Sequence, residues 1–381
     1  MSAHAFLAPS SADRWFHCPG SAWMESQFPD LTDPSERAEG EACHWLMQQV
    51  LTTEIAASSL VGQHAPNGSV ITQTMAEAVE TLREDIESKL GPGWRQAVNV
   101  ERRIPAISRA HRTACWGTPD VWAWAQWAPG RFVLYVWDLK YGFKRVEIFE
   151  NKQLILYAIG ILEEFNIDDQ TVGVELVVCQ PRAYHPDGPV RSWAVPQASD
   201  FRGIVNQLAS AGEKATSPNP PCKPKPSACE NCRARHSCDA LQEAEYRGMD
   251  IARQAVPREL TAEAAGLELA MLADTAALIE ARKSGLEELV KHKLARGERV
   301  PYWRMGPGRG KTEWTKPIAE VLALGRILKI DLAKPPQAIT PLQAKDKGLP
   351  ESMMGAYSQS VAGATKLTRD DNTSVRRIFS R

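Results

Sequence analysis

The stretch Phe132-Val133-Leu134-Tyr135-Val136-Trp137-Asp138-Leu139-Lys140-Tyr141-Gly142 decides how the rest of the chain is read. It is rich in β-branched and aromatic residues and closes on a glycine, which predicts a strand over residues 132–141. Side chains alternate faces along a strand, so Asp138 and Lys140 share one face while Trp137 and Leu139 point into a core. Upstream, residues 98–104 and 115–125 read as two further strands. Downstream, a helix over 151–165 leads to the apolar run 172–179, a buried strand, and then to a helix over 200–212. Three helices come before the strands. A short one covers 10–19, with Ser10 or Ser11 as its cap and Pro19 as its stop. The next covers 35–51, with Ala38, Ala42, Leu46 and Val50 as its apolar stripe. The third covers 72–89 and ends at Gly91-Pro92-Gly93. Helices, three strands, helix, strand, helix is the order of an α/β fold, a central sheet covered by helices.

Beyond the sheet, residues 217–226 are rich in proline and read as an extended linker into a cluster of cysteines. Residues 261–295 are strongly helical, with Leu267, Met271, Leu278 and Leu289 among the apolar positions. From Pro301 onward, short helical pieces alternate with turns, and the polar stretch 368–381 is expected to be poorly ordered. Residues 1–245 are read as one domain that holds the sheet and the cysteines, and residues 246–381 as a mainly helical region. The stretch Gly306-Pro307-Gly308-Arg309-Gly310-Lys311-Thr312 lacks the spacing of a phosphate-binding loop and reads as a turn, so no nucleotide hydrolysis is expected.

With 381 residues, 43% hydrophobic and 24% charged, the chain has the composition of a soluble globular protein. No apolar run approaches the roughly 20 residues of a membrane span. Residues 1–7 lack the basic start and apolar stretch of a secretory signal, so a cytoplasmic location is expected. The net charge is -1. A nucleic-acid partner would therefore need a local basic groove or bound metal ions.

Chemistry is most legible at the strand end. Asp138 can hold a divalent metal, and Lys140 beside it can orient the attacking water or steady charge on a phosphate. In Gly117-Thr118-Pro119-Asp120, Asp120 supplies a second carboxylate on a neighbouring strand. Two carboxylates suit Mg²⁺, which prefers oxygen ligands. Asp-x-Lys by itself is weak, since a chain of this length carries about one or two by chance. The similar Glu87-Ser88-Lys89 falls late in a helix, and Glu150-Asn151-Lys152 at a helix start. The bland alternative for Asp138 and Lys140 is a surface ion pair on an edge strand. Arg102, Arg103, Arg109, Arg112, Lys144 and Arg145 are basic residues near these strands. They would grip a DNA backbone in a salt-sensitive way, or else form a solvated face.

Four of the eight cysteines fall in one short stretch. Cys229, Cys232 and Cys238 form a Cys-x2-Cys-x5-Cys pattern that needs a fourth ligand for zinc or an iron–sulfur cluster. Cys222, His236 and the distant Cys18 are the choices. Cys43, Cys115 and Cys179 read as buried core cysteines.

Five ordered pieces then resemble RecB-like nucleases of the PD-(D/E)xK superfamily, in particular a phage- and prophage-encoded branch. Ser10-Ser11-Ala12-Asp13-Arg14-Trp15-Phe16-His17-Cys18-Pro19 resembles an N-terminal helix ending in Cys-Pro. Gly40-Glu41-Ala42-Cys43-His44 resembles the Gly-x-x-x-His helix. Gly117–Asp120 is similar to the Gly-x-x-Asp strand, and Asp138–Lys140 to the Asp-x-Lys strand. Gln153-Leu154-Ile155-Leu156-Tyr157 resembles the Gln-x-x-x-Tyr helix. Each piece is weak; the ordered set, over roughly the first 240 residues, is specific.

The resemblance implies a restriction-endonuclease-like core and a Mg²⁺- or Mn²⁺-dependent deoxyribonuclease, with an exonuclease in phage DNA recombination or processing as the first expectation. It implies His44, Asp120 and Asp138 as metal ligands with the Leu139 carbonyl, Lys140 as the catalytic lysine, and Gln153 and Tyr157 lining the site. It implies Cys18 as the fourth ligand of a [4Fe–4S] cluster with Cys229, Cys232 and Cys238, structural Zn²⁺ being the alternative. The partners implied are DNA and a phage single-strand-binding or annealing protein, in a bacterial host cytoplasm. Two other readings stand beside it: an inactive nucleic-acid-binding recombination accessory, and a zinc-stapled structural phage protein.

Overall fold

The computed structural model describes residues 5–32, 34–106, 114–128, 130–252 and 259–305. Two short helices, α1 (Ala12–His17) and α2 (Gly20–Ser26), precede the long helices α3 (Pro34–Thr52) and α4 (Gln73–Leu90) and one turn, α5 (Trp94–Ala97). Ser11 does sit at the start of α1, but its hydroxyl donates back to the Ala8 carbonyl at 3.0 Å instead of capping the helix. Pro19 does stop α1, yet it also opens α2, a helix the sequence reading did not contain. Thr72 caps α4 by accepting from the Met75 amide, and Gly91 ends it.

The strands are β1 (Asn99–Val100), β2 (Ile104–Pro105), β3 (Trp116–Gly117), β4 (Val121–Ala128), β5 (Arg131–Leu139), β6 (Val172–Cys179) and β7 (Val190–Val195). Two expected strands are therefore each broken in two. The first breaks at Glu101, whose φ of 50° takes the chain out of extended geometry. The second breaks at Thr118-Pro119-Asp120, where Pro119 has no amide to give to a ladder. β7, which carries only weak alternation, was not foreseen.

Five strands form one mixed sheet in the order β1-β4-β5-β6-β7, and β2 pairs with β3 separately. β4 and β5 run antiparallel, β5 and β6 parallel, and β6 and β7 antiparallel. The parallel pair is joined by the crossover helix α6 (Lys152–Glu164), capped by Asn151. The remaining helices are α7 (Arg202–Ala215), the single turn α8 (Pro226–Cys229), α9 (Asp239–Ala252), also unforeseen, and α10 (Ala262–Ala295). The chain is thus a mixed α/β fold, with a helix-flanked sheet and a helical C-terminal region.

Alternation along β5 divides the core. Trp137 and Leu139 pack with Leu46 and Val50 of α3 and with Val79 and Leu82 of α4. Leu134 and Val136 pack on the opposite face with Leu154, Ile155 and Ile161 of α6. Each fully buried Leu, Ile or Val contributes about 1.5–3 kcal/mol. β5 is an interior strand, so Asp138 and Lys140 are not an edge-strand surface pair.

α9 and α10 pack on each other through Leu241, Leu278 and Ala281, with Cys229 in the same cluster, and Arg282 bonds Glu245 at 3.0 Å. α9 runs through residue 245. Residues up to His292 belong to one compact unit, and a second begins at Lys293. Among the described residues no helix is long and apolar enough to cross a membrane. Arg109, Arg112, the 306–312 turn and the 368–381 tail lie outside the described residues.

Candidate functional site

The register Val121↔Trp137 brings Asp120, at the start of β4, alongside Asp138, at the end of β5. Both carboxylates are buried, at 8% and 2% exposure. The Leu139 amide donates to Asp120 Oδ2 at 2.7 Å, so the next strand sets the carboxylate's orientation. Its other oxygen, Oδ1, lies 3.5 Å from His44 Nδ1, which arrives on α3 from the other face of the sheet.

Lys140 shares a face with Asp138, as alternation requires, and its Nζ reaches the two Asp138 oxygens at 3.0 and 2.9 Å. Gln153, in the first turn of α6, donates from Nε2 to Asp138 Oδ1 at 3.0 Å, and its Oε1 lies 3.4 Å from Lys140 Nζ. One helical turn later, Tyr157 is in hydrogen-bond contact with Gln153 and is buried. Its ring explains Gly117: a Cβ there would stand 2.7 Å from Tyr157 Cε1 and 3.0 Å from Pro9 Cγ. The structure thus brings together His44, Asp120, Asp138, Lys140, Gln153 and Tyr157, residues from four separate elements.

Burial pushes the Asp120 and Asp138 carboxyls above the usual carboxylate range, since a dry site disfavours the anion. The Asp120 carboxylate, helped by Glu101 and Asp138, pushes the His44 imidazole up to about 9. Burial works against the Lys140 ammonium, but Asp138 and Asp120 outweigh it and hold Lys140 above its ordinary value.

Glu101 is the site residue that the sequence reading missed. Its Oε1 lies 3.8 Å from His44 Nδ1, and with His44 and Asp120 it forms a three-ligand group. Its amide donates to the Asp120 carbonyl at 3.0 Å, and its left-handed backbone turns the side chain to the site just after β1. An acid inside an expected strand gives no sign of this; only a chain break there would have flagged it.

The cationic residues are less uniform than expected. The Arg103 guanidinium lies 3.4 Å from the Trp116 ring centre. Arg102 lies over Phe165 and bonds Asn99. Lys144 pairs with Glu230, and Arg145 donates to the Tyr184 carbonyl at 3.1 Å.

A second constellation brings the N-terminal helices together with the segment after the sheet. Cys18, Cys222, Cys229, Cys232 and Cys238 line one small cavity, together with Met24, Pro224 and Leu241. The four expected ligands are all there, and so is Cys222. His236 instead meets the Phe28 ring edge-on at 5.0 Å between centres. Cys222 is in hydrogen-bond contact with both Cys18 and Cys238, and this pulls those two thiols down. Burial pushes Cys229 up to about 11 and Cys232 up to about 12. The segments carrying Cys18 and Cys222 touch: Lys223 donates its amide to Cys18 Sγ at 3.2 Å, and a Cβ on Gly20 would stand 2.6 Å from Cys222 Sγ. Cys43, Cys115 and Cys179 are buried core thiols, as expected.

The solved structure titled "Crystal structure of SSO0001" is similar at 16% identity, over 61% of this chain and 85% of that chain, with a TM-score of 0.30. Residues 4–335 match a family described as "Protein of unknown function (DUF2800)", and over that span the chain belongs to it.

Proposed function

We propose that this protein is a metal-dependent DNA nuclease of the RecB-like PD-(D/E)xK type. One observation carries the reading: two buried carboxylates on neighbouring strands, a histidine and a lysine held by a glutamine meet at one end of the sheet. The donor set fits a divalent cation. His44, Glu101 and Asp120 bring a nitrogen and two hard oxygens within 4.8 Å of one another, while Asp138, whose oxygens bond Lys140 and Gln153, and the Leu139 carbonyl would complete the set. Buried like charges with raised pKa values are also a frequent mark of functional sites.

A divalent cation, when bound, supplies an acidified water and offsets charge on a scissile phosphate. The protein's own groups do the rest. Asp138 and Gln153 fix the Lys140 ammonium, so that it can donate to a phosphate oxygen without reorganising. Leu139 fixes Asp120, and the Tyr157 ring packs against the β3 backbone at Gly117.

The cysteine cavity fits a thiophilic group, because five thiols converge there, with Ser21 and Arg235 the polar residues among an otherwise apolar lining. A [4Fe–4S] cluster held by Cys18, Cys229, Cys232 and Cys238 would join the N-terminal helices to the segment after the sheet, with structural Zn²⁺ as the alternative. It would stabilise the fold by closing a long loop.

The test is digestion of end-labelled linear, circular and single-stranded DNA by anaerobically prepared protein with Mg²⁺ or Mn²⁺. Cleavage that needs the metal and disappears in Asp138→Ala and Lys140→Ala proteins is expected. Undiminished cleavage by either variant overturns the assignment of the site.

A further inference from the structure

β5 and β6 run parallel, so the loops that leave their carboxyl ends lie side by side. One loop follows Lys140 and the other follows Cys179. Ligands of sheets with parallel strands are commonly received at this end. Each loop carries a large aromatic residue into solvent: Phe143 is 70% exposed and Tyr184 67% exposed.

The exposure is not slack in the chain. Gln180, 1% exposed, donates from its side chain to the carbonyls of Gly142 and Lys144 at 3.0 and 2.7 Å and accepts from the Val146 amide at 3.1 Å. Arg191, also buried, grips the Val146 carbonyl at 2.7 Å and the Gln180 oxygen at 3.1 Å. The backbone on both sides of Phe143 is thus pinned by buried polar groups, which hold the ring out in water. Arg145 links the two loops through its bond to the Tyr184 carbonyl. The Arg182 guanidinium, ion-paired with Glu39 at 2.6 Å, lies over Phe143 at 4.0 Å and over Tyr141 at 4.3 Å, so one face of the Phe143 ring is held against a guanidinium. Tyr141 and Gly142 are the only residues between Lys140 and Phe143.

A rigid, solvent-facing aromatic backed by arginine is poorly suited to a duplex, whose bases are already stacked. It suits an unpaired base, which offers a free π-face for stacking. We propose that Phe143, with Tyr184 beside it, is a stacking platform for unpaired bases of a DNA strand entering the Asp120–Asp138–Lys140 site. The substrate class is then single-stranded DNA or a single-stranded tail. This rests on the nuclease reading for the identity of the polymer, but the platform can be tested separately.

The experiment measures binding of the full-length protein to an oligonucleotide carrying 2-aminopurine, without divalent metal so that nothing is cut. A blunt duplex of the same sequence is the control. Wild type is expected to bind the single strand with quenched fluorescence. Phe143→Ala is expected to weaken that binding roughly tenfold and to relieve the quenching, with Tyr184→Ala smaller, Phe143→Trp like wild type and duplex binding unchanged. Both residues are exposed, so folding should survive, and circular dichroism checks it. Single-strand affinity and quenching left unchanged by Phe143→Ala overturn the platform. So does an equal loss for duplex and single strand. Metal-dependent cleavage with an unaffected Phe143→Ala variant leaves the nuclease reading standing and removes the platform. Phe143-dependent single-strand binding without any cleavage does the reverse.

Discussion

Replacing Asp138 by asparagine changes one charge in the site and almost no volume. The amide oxygen can still accept from Lys140 and Gln153, so the hydrogen-bond frame persists while the Lys140 ammonium loses its anion at 2.9 Å. At an effective dielectric constant of about 20, that attraction is about 6 kcal/mol. Burial of the carboxylate takes back several kcal/mol, and Lys140 keeps some contact with water, which leaves a net cost of about 2 kcal/mol. Chemical denaturation of the metal-free variant should therefore show that loss with an unchanged m-value.

The larger effect lies in cation binding. For wild type, free Mn²⁺ at 100 times its dissociation constant should add about 2.7 kcal/mol. In a unit of about 300 residues that is a rise in Tm of about 4 °C. Asp138→Asn removes a charged oxygen ligand and should shift by no more than about 2 °C at the same concentration. Differential scanning fluorimetry with and without Mn²⁺ reads both terms. A variant with the wild-type denaturation midpoint and the wild-type Mn²⁺ shift would refute the claim that Asp138 both anchors Lys140 and binds metal.

Cation affinity should also depend on pH. Metal requires neutral His44, and the Asp120 carboxylate holds a proton on that ring up to about 9, so apparent Mn²⁺ affinity should climb from pH 6 to about 9 and then level off, with protons released in calorimetry. Without metal the sign reverses: the folded pKa lies above the ordinary 6.5, so His44 adds stability that is complete below that value and lost as pH rises through about 9. Gly117→Ala places a methyl against Tyr157 and Pro9 and should cost about 1–3 kcal/mol, seen as a fall in Tm of roughly 2–5 °C; an unchanged Tm would remove the packing argument. Cys18→Ser should lose the metal of the cysteine cavity in iron and zinc analysis while Cys222→Ser keeps it, and the opposite result would make Cys222 the fourth ligand.

Much of this was legible in the sequence. Alternation in residues 132–141 put Asp138 and Lys140 on one face and Trp137 and Leu139 on the other, because strand side chains have a period of two whatever surrounds them. The run 172–179, apolar but for Glu175, is the strand β6 to the residue, as a strand buried on both faces reads. The cysteine spacing likewise grouped Cys229, Cys232 and Cys238, which the structure places round one cavity.

What tertiary structure alone decided has one common cause, contact between residues far apart in the chain. Glu101 belongs to the site because a left-handed residue after β1 turns its carboxylate toward His44, which no periodicity encodes. Cys222 joins the cysteines because Gly20 lets the linker close on α2, a packing fact. β7 was hidden because its pattern is weak and pairing with β6 supplies its stability. The sequence determined which side chains share a strand face or a helix turn, a matter of local geometry. The register between β4 and β5 and the approach of α3 and α6 determined that two carboxylates, a histidine and a lysine meet, because only burial against distant residues fixes those distances.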